Sequence, residues 1–134
     1  MGRHWLIPLL IVVAVIVFSS HGLKGGPEIS VRDAATLIKN EPRLVIVDVR
    51  ERADYEQGHI ASAISVPSAD FKARLNSLKL PKYEALILYS TDDTQARDAT
   101  KHLYENGYQG ALTLKGGFDA WRAAGMGLVK PRQP

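Results

Sequence analysis

Two short runs of uninterrupted apolar residues lie in the interior of the chain, Leu44–Val47 and Ala85–Tyr89. Their length and their aliphatic, partly β-branched side chains are typical of strands rather than helices. Because no polar residue interrupts either run, both faces of each strand are expected to be buried. A strand buried on both faces lies in a parallel sheet between layers of helices, so the two runs indicate an α/β fold.

Segments with helical periodicity separate these strands. Ser30 to Asp33 resembles a capping box and predicts a helix that ends near Lys39. The other predicted helices cover residues 53–57, 71–80, 95–105 and 118–124, and the other predicted strands cover 63–66 and 111–114. This alternation predicts an α/β domain over residues 28–127, with a mostly parallel central sheet and helices on both faces, followed by a tail over residues 128–134.

The start of the chain forms a separate apolar segment. Trp5 to Phe18 is uninterrupted apolar sequence behind the short basic start Met1-Gly-Arg-His. Continued as a helix to Leu23, it would be about 28 Å long, close to the hydrocarbon core of about 30 Å. The run also fits the central region of a signal peptide, but the candidate cleavage sites match poorly. We therefore expect residues 1–23 to be an N-terminal hydrophobic helix that anchors the protein, with a cleaved signal peptide as the alternative, and residues 24–27 to be a linker.

The charges around this segment suggest an orientation. Arg3 and the free amine precede the apolar segment, whereas Lys24 alone follows it closely. This asymmetry favours a single-pass protein, in contact with the membrane through residues 5–23, with its domain outside the cytoplasm. A cleaved signal would leave the domain on the same side, secreted or periplasmic.

Composition argues against several functional classes. From residue 28 onward, fifteen Lys or Arg stand against fourteen Asp or Glu, and the two signs are interspersed. A nucleic-acid partner is therefore not expected, despite a pI near 9.3. The chain has no cysteine, which excludes disulfides and thiol catalysis. Its four histidines have no metal-ligand spacing, so neither a metal nor another cofactor is predicted.

Polar residues follow the carboxyl ends of three predicted strands. Asp48 follows one, Ser90 the next and Lys115 the last. Ligands of open α/β sheets bind at these ends, so the loop after residue 89 is expected to form a site. The loop residues after the serine are Thr91, Asp92, Asp93, Thr94 and Gln95.

Two long segments carry a resemblance to a known family. Val45 to Pro67, VIVDVRERADYEQGHIASAISVP, resembles the rhodanese signature, with Asp-x-Arg after a strand and Gly-His-Ile before a short one. The downstream LYSTDDTQARDATKHLYENGYQGALTLKGGFDAW resembles the second half of the rhodanese domain, including its active loop and its Leu-x-Gly-Gly turn. The resemblance covers about Ile29 to Gly125, apart from a serine at residue 62 where glycine is usual. It implies the rhodanese fold.

The same resemblance implies a loss of activity. Rhodaneses carry sulfur on a cysteine that follows the strand-end aromatic, and the matching residue here is Ser90. A serine hydroxyl has a far higher pKa than a thiol and cannot form a persulfide. Asp92 and Asp93 stand where an anionic donor would bind, and Gln95 stands near the position of the family's arginine. Arg97 lies two residues further on. The resemblance therefore implies a domain without sulfur transfer.

Structural roles are expected for the other polar residues. Asp92 and Asp93 precede a helix and are expected to cap it rather than bind a metal. Asp48 and Arg50 are expected to form a structural ion pair. His59 is expected to stabilise a turn rather than act as a base for the loop serine.

Three functional hypotheses follow. The first is a membrane-tethered, non-catalytic rhodanese-like module that binds a protein partner or a small ligand. The second is a sulfurtransferase whose cysteine has been replaced by Ser90. The third is a hydrolase that uses Ser90 as its nucleophile.

Overall fold

The computed structural model describes residues 26–130, which form one five-stranded parallel sheet with helices on both sides. The strands lie in the order β1-β5-β4-β2-β3. The strands are β1 (Glu28–Ile29), β2 (Val45–Asp48), β3 (Ile64–Ser65), β4 (Leu86–Tyr89) and β5 (Ala111–Leu114). The helices are α1 (Val31–Asn40), α2 (Arg52–Gln57), α3 (Ser68–Leu78), α4 (Thr94–Glu105) and α5 (Gly117–Ala123). The predicted α/β fold with a parallel central sheet is confirmed.

The two continuous apolar runs become neighbouring strands near the centre of the sheet. β2 pairs with β4 from Val45 opposite Leu86 to Asp48 opposite Tyr89. Both strands run in the same direction, so their carboxyl ends lie side by side. The loops that follow residues 48 and 89 therefore begin at adjacent points of the same edge.

Alternate side chains of the central strands point to two separate cores. Leu86 and Leu88 of β4 pack on the side covered by α3 and α4, whereas Ile87 and Tyr89 pack on the side of α1 and α5. Burial of such a side chain contributes about 1.5–3 kcal/mol. Burial on both faces is the reason that neither run alternates with polar residues.

The first helix begins where the sequence predicts. Ser30 is its N-cap residue, and its side-chain oxygen accepts a hydrogen bond of 3.1 Å from the backbone N–H of Asp33. At the other end, the N–H of Glu41 donates to the carbonyl of Leu37.

Some element boundaries were predicted wrongly. α3 begins at Ser68 and ends at Leu78, whereas the sequence predicts residues 71–80. Its apolar periodicity begins only at Phe71, and the first turn after Pro67 is polar. Lys79 then adopts a left-handed conformation with φ 52°, which ends the helix.

The sequence also missed a strand at the edge of the sheet. β1 contains only two residues, too few to show a periodic pattern, and it pairs with β5. The carbonyl of Pro27, placed in the linker by the sequence, accepts a hydrogen bond of 2.9 Å from the N–H of Thr113.

The two ends of the chain extend past this region. The hydrophobic helix and membrane contact predicted for residues 5–23 lie outside the described residues. Within residues 26–130, no helix is long and apolar enough to cross a membrane. At the other end, Val129 belongs to the predicted tail, yet its backbone N–H and C=O both form hydrogen bonds of 2.8 Å with His59.

Candidate functional site

The loop after β4 is organised around the hydroxyl of Ser90. This residue is only 1% exposed. Its oxygen accepts a hydrogen bond of 3.0 Å from the N–H of Ala96, and its hydroxyl donates one of 2.9 Å to the carbonyl of Asp92. Since Ala96 lies in the first turn of α4, Ser90 satisfies a free N–H at the start of that helix.

The two aspartates of the loop have different roles. Asp92 has an exposed side chain, and its Oδ1 accepts a hydrogen bond of 2.8 Å from the N–H of Thr94. This hydrogen bond to the charged form is the main reason that the pKa of Asp92 lies below its ordinary value of 3.8. Asp93 Oδ2 instead accepts from the N–H of Gly116 at 3.0 Å and from Arg97 Nη2 at 3.1 Å. Asp92 thus binds the first backbone N–H of α4, as expected of a capping residue. Asp93 occupies the N-cap position, but its side chain forms no capping hydrogen bond and ties the loop to the turn after β5, so the capping role predicted for Asp93 is wrong.

The turn after β5 packs directly against the loop. Gly117 has φ +64°, and a Cβ added there would overlap the carbonyl oxygens of Ser90 and Asp92. The following N–H groups, of Phe118 and Asp119, donate to the carbonyls of residues 90 and 91 at 2.8 and 2.9 Å. A glycine is required at residue 117 because no side chain fits between the two segments.

A buried ion pair lies beside the loop, as predicted for Asp48 and Arg50. Asp48 is fully buried and Arg50 is 5% exposed. Arg50 Nη2 lies 2.7 Å from Asp48 Oδ2 and donates a second 2.7 Å hydrogen bond to the carbonyl of Gly58. Burial alone would lower the pKa of Arg50, but the hydrogen bonds and charge of Asp48 raise it. The pair clamps the end of β2 to the end of α2.

Aromatic side chains enclose this ion pair. The Arg50 guanidinium lies 3.9 Å from the centre of the Phe118 ring. Tyr89 stacks against Phe118, and its hydroxyl accepts a hydrogen bond of 3.1 Å from the N–H of Ile60. Burial, followed by the charge of Asp48, raises the pKa of Tyr89 far above its ordinary value of 10.0, so the phenol stays protonated.

Among the described residues, His59 contacts Tyr55 and Val129 rather than Ser90. Its ring stacks on Tyr55 with centroids 3.7 Å apart, and its Nδ1 forms a hydrogen bond of 2.9 Å with the Tyr55 carbonyl. Its backbone pairs with Val129. Within residues 26–130, both hydrogen bonds of the Ser90 side chain go to backbone groups. The arrangement offers no activated serine nucleophile.

A pocket of about 430 Å³ opens next to the loop. Its lining combines apolar surface with charged groups of both signs. The residues that line it are Arg50, Asp54, Gln57, Gly58, Thr91, Phe118, Asp119, Arg122, Leu128 and Lys130. It is therefore built from the ends of β2 and β4, helices α2 and α5, and the segment after α5.

The structure brings together only part of the predicted site. Asp48 and Arg50 lie next to the loop, because the Arg50 guanidinium packs on the rings of Tyr89 and Phe118. Gln95, in contrast, is exposed in the first turn of α4. Arg97 turns back to Asp93, and its Nε lies 3.3 Å from Glu28 Oε1. Within the described range, no group of three or more side chains is placed to hold a metal ion.

The sequence missed most of the pocket. Asp119 and Arg122 lie on α5, for which the sequence predicted a helix but no site residue. Leu128 and Lys130 were assigned to the tail. In the sequence near the pocket, the Gly116-Gly117 pair indicated that the turn after β5 lies close to another segment.

Comparison with known proteins agrees with this architecture. The family model for the rhodanese-like domain matches residues 30–124. Thiosulfate sulfurtransferase GlpE of Coxiella burnetii is 33% identical over 96 residues, which cover 72% of this chain and 87% of GlpE. YibN of Escherichia coli is 28% identical over 133 residues, covering 96% of this chain and 93% of YibN.

A solved structure gives the same result. The crystal structure of the Alr3790 protein from Anabaena superimposes with a TM-score of 0.69 at 31% identity, covering 76% of this chain and 80% of that one. The match to the family model extends over more than half of the chain and includes both the Asp48–Arg50 clamp and the Ser90 loop. The chain belongs to the rhodanese-like domain family.

Proposed function

We propose that this protein is a rhodanese-like binding module that does not transfer sulfur. The observation that carries the proposal is the state of the loop after β4. Ser90 stands at the position of the family's cysteine, and its hydroxyl is bound to the Ala96 N–H and the Asp92 carbonyl. A serine hydroxyl with these two partners stabilises the start of α4 and does not carry sulfur.

Chemistry supports the same conclusion. Sulfur transfer through a protein thiol requires a thiolate that can attack the donor and hold the transferred sulfur. The whole chain has no cysteine, so no second thiol could replace the missing one. The relative GlpE is named as a thiosulfate sulfurtransferase, and we do not extend that activity to this chain.

Two of the N–H groups that could bind an anionic donor in this loop are already occupied. The N–H groups of Thr94 and Ala96 already donate to Asp92 and Ser90. An anion at the start of α4 would have to displace these acceptors and approach the negative charge of Asp92. A thiosulfate ion is therefore disfavoured both by occupied donors and by repulsion.

The direct test is a thiosulfate:cyanide sulfur-transfer assay on the intact protein, with GlpE as positive control. We expect no thiocyanate above the heat-inactivated background. Turnover that depends on Ser90 would refute the proposal.

A second experiment separates the missing thiol from the occupied loop. Ser90→Cys alone should give little turnover, because Asp92 still holds the Thr94 N–H and still repels the donor. Adding Asp92→Gly and Gln95→Arg should raise the rate at least tenfold, because this frees the N–H and supplies a cation. Asp93 is kept, since it holds Gly116. Equal turnover in the single and combined variants would show that the loop already binds anions.

We assign binding to the pocket beside the loop. Arg122 and Lys130 contribute positive charge, Asp54 and Asp119 negative charge, and Phe118 an apolar wall. This mixture suits a small ligand or a protein segment that carries both charged and apolar groups. Cross-linked complexes recovered from native membranes should be lost with Arg122→Glu. They should persist with Lys115→Glu, a matched charge reversal outside the pocket lining. Complexes that survive both substitutions would contradict this assignment.

We further propose that residues 5–23 tether the module to a membrane. The support is the length and apolarity of this sequence. The alignment with YibN, over 96% of the chain, also extends into this segment, so a relative of similar length shares the region. Membranes that carry the protein should retain it through high-salt and carbonate washes. Release of a shortened soluble form would indicate a cleaved signal peptide instead.

A further inference from the structure

Three connections meet at the amino-terminal edge of the sheet, opposite the Ser90 loop. They precede β2, β4 and β5 and touch one another. Arg43 Nη1 lies 3.5 Å from Glu84 Oε1 between the first two, and the Gln109 N–H donates to the Lys82 carbonyl at 3.3 Å between the last two. Lys82 Nζ also lies 5.5 Å from the centre of the Tyr108 ring. The three connections therefore form one continuous surface.

This surface is rich in exposed cations. Five exposed Lys or Arg side chains lie on it or near the C-terminal ends of the adjoining helices, and we call this surface the basic edge. Its cations are Lys39, Arg43, Lys79, Lys82 and Lys101. Three acids, Glu41, Glu84 and Glu105, lie among them. Helix dipoles favour bases at helix C-termini, which accounts for Lys39 but not for Lys82, which lies in a loop.

Two exposed tyrosines accompany these cations. Tyr83 is 77% exposed and lies next to Lys82, and Tyr104 is 42% exposed in the last turn of α4. Within residues 26–130, Tyr83 and Tyr104 are the two aromatic side chains among the exposed large hydrophobic residues. Tyrosine is enriched at membrane interfaces, where its ring contacts acyl chains and its hydroxyl stays among the headgroups.

The chain enters the domain at this same edge. A Cβ at Gly26 would lie 3.8 Å from Lys101 Cα, and the Pro27 carbonyl is bound to the N–H of Thr113. If the apolar segment ends at Leu23, the intervening chain can reach about 10 Å at most. The edge next to Gly26 must then stay close to the end of that segment.

We propose that the basic edge lies against a membrane surface of anionic phospholipids, with the Ser90 loop and the pocket facing away from it. Lysine side chains would contact the phosphate groups, and Tyr83 and Tyr104 would enter the headgroup layer. The proposal rests on the membrane tether proposed above. It defines the orientation in which the pocket meets its partner, at the side of the domain farthest from the bilayer.

The absence of cysteine permits a direct test. Gln109→Cys and Lys115→Cys introduce single thiols at the two ends of β5, about 20 Å apart along the strand. Both positions are exposed, and neither belongs to the cations or tyrosines of the basic edge. Each variant of the full-length chain is labelled with an environment-sensitive fluorophore. It is then reconstituted into vesicles of phosphatidylglycerol and phosphatidylcholine that contain a headgroup quencher.

We expect at least threefold stronger quenching at residue 109 than at residue 115. The difference should shrink in pure phosphatidylcholine and at high salt, because anionic headgroups are then absent or screened. The double substitution Lys39→Glu and Lys82→Glu should reduce quenching at residue 109 at least twofold. The control Lys115→Glu, made in the Gln109→Cys chain, should leave it unchanged. Circular dichroism verifies that each variant is folded.

The possible failures are distinguishable. Equal quenching at residues 109 and 115 in protein that resists carbonate extraction would overturn the orientation and leave the tether intact. Protein that carbonate removes would overturn the tether and this proposal together. Strong quenching that depends neither on lipid charge nor on the lysine substitutions would refute a role for the cations. It would show that the linker alone holds the basic edge near the bilayer.

Discussion

Replacing Ser90 with alanine is the sharpest test of the loop structure. The substitution removes one oxygen and leaves the fold otherwise unchanged. Two backbone groups then lose their partner, the Ala96 N–H and the Asp92 carbonyl. Ala96 is fully buried, so no water can easily replace the hydroxyl at its N–H.

The expected cost follows from these contacts. A buried donor or acceptor that loses its partner costs about 1–3 kcal/mol, and the loss of a helix N-cap costs about 0.5–2 kcal/mol. The two figures describe overlapping hydrogen bonds and are not added. We therefore expect Ser90→Ala to lower the free energy of unfolding by about 2 kcal/mol, which shifts the Tm by roughly 10 °C in a domain of this size. The free energy of unfolding of Ser90→Cys should lie between those of the parent protein and Ser90→Ala, because a thiol forms weaker hydrogen bonds than a hydroxyl.

The free energy of unfolding is measured by urea titration of the full-length protein in mild detergent, with tryptophan fluorescence as the readout. Ser77→Ala is the matched control, since the Ser77 hydroxyl donates to the carbonyl of Arg74 at an exposed position. That variant should lie within about 0.5 kcal/mol of the parent. If Ser90→Ala is as stable as Ser77→Ala, the Ser90 hydroxyl does not organise the loop and does not keep anions out of it.

Three further substitutions and one deletion test other parts of the structure. Gly117→Ala should destabilise the domain by more than 2 kcal/mol in the same titration, since a left-handed residue with a Cβ costs about 1–2 kcal/mol and this Cβ also meets backbone oxygens. Arg50→Leu should cost about 3–5 kcal/mol because it leaves Asp48 buried without its partner; thermal melting should show this loss. The folded-state pKa of Asp92 lies below 3.8, so its stabilisation is complete above that pH and lost as pH falls through the lowered pKa; Asp92→Asn should remove this part of the acid sensitivity in melts between pH 2 and pH 6. Removal of residues 1–25 should leave a domain with one cooperative transition in urea, because both cores lie in the remaining chain.

The sequence predicted the central architecture because strong local patterns encode it. The uninterrupted apolar runs of β2 and β4 have no other stable location than the middle of a covered sheet. The start of α1 was equally local, since Ser30 and Asp33 form their hydrogen bond within one turn. β1 could not be predicted in this way. Its two residues become a strand only because β5 offers a free edge.

The site was predictable only as far as its contacts are local. The position of Ser90 follows from the end of a strand, and the Asp48–Arg50 pair is close in sequence. The bond from the Gly116 N–H to Asp93 spans 23 residues, and a sequence pattern does not reveal such a partner. The same holds for the pocket wall of Leu128 and Lys130. It depends on the pairing of Val129 with His59, a contact across 70 residues.

The loop shows how one backbone arrangement can serve two opposite purposes. A strand that leads into a helix gathers unpaired N–H groups, which can bind an external anion or be satisfied from within. In this chain, Thr94 donates to Asp92, Ala96 donates to Ser90, and the turn after β5 closes on the loop through Gly117. Any anion at the start of α4 would have to displace these acceptors first. The neighbouring pocket needs no such rearrangement, and for this reason we propose binding at the pocket rather than sulfur transfer at the loop.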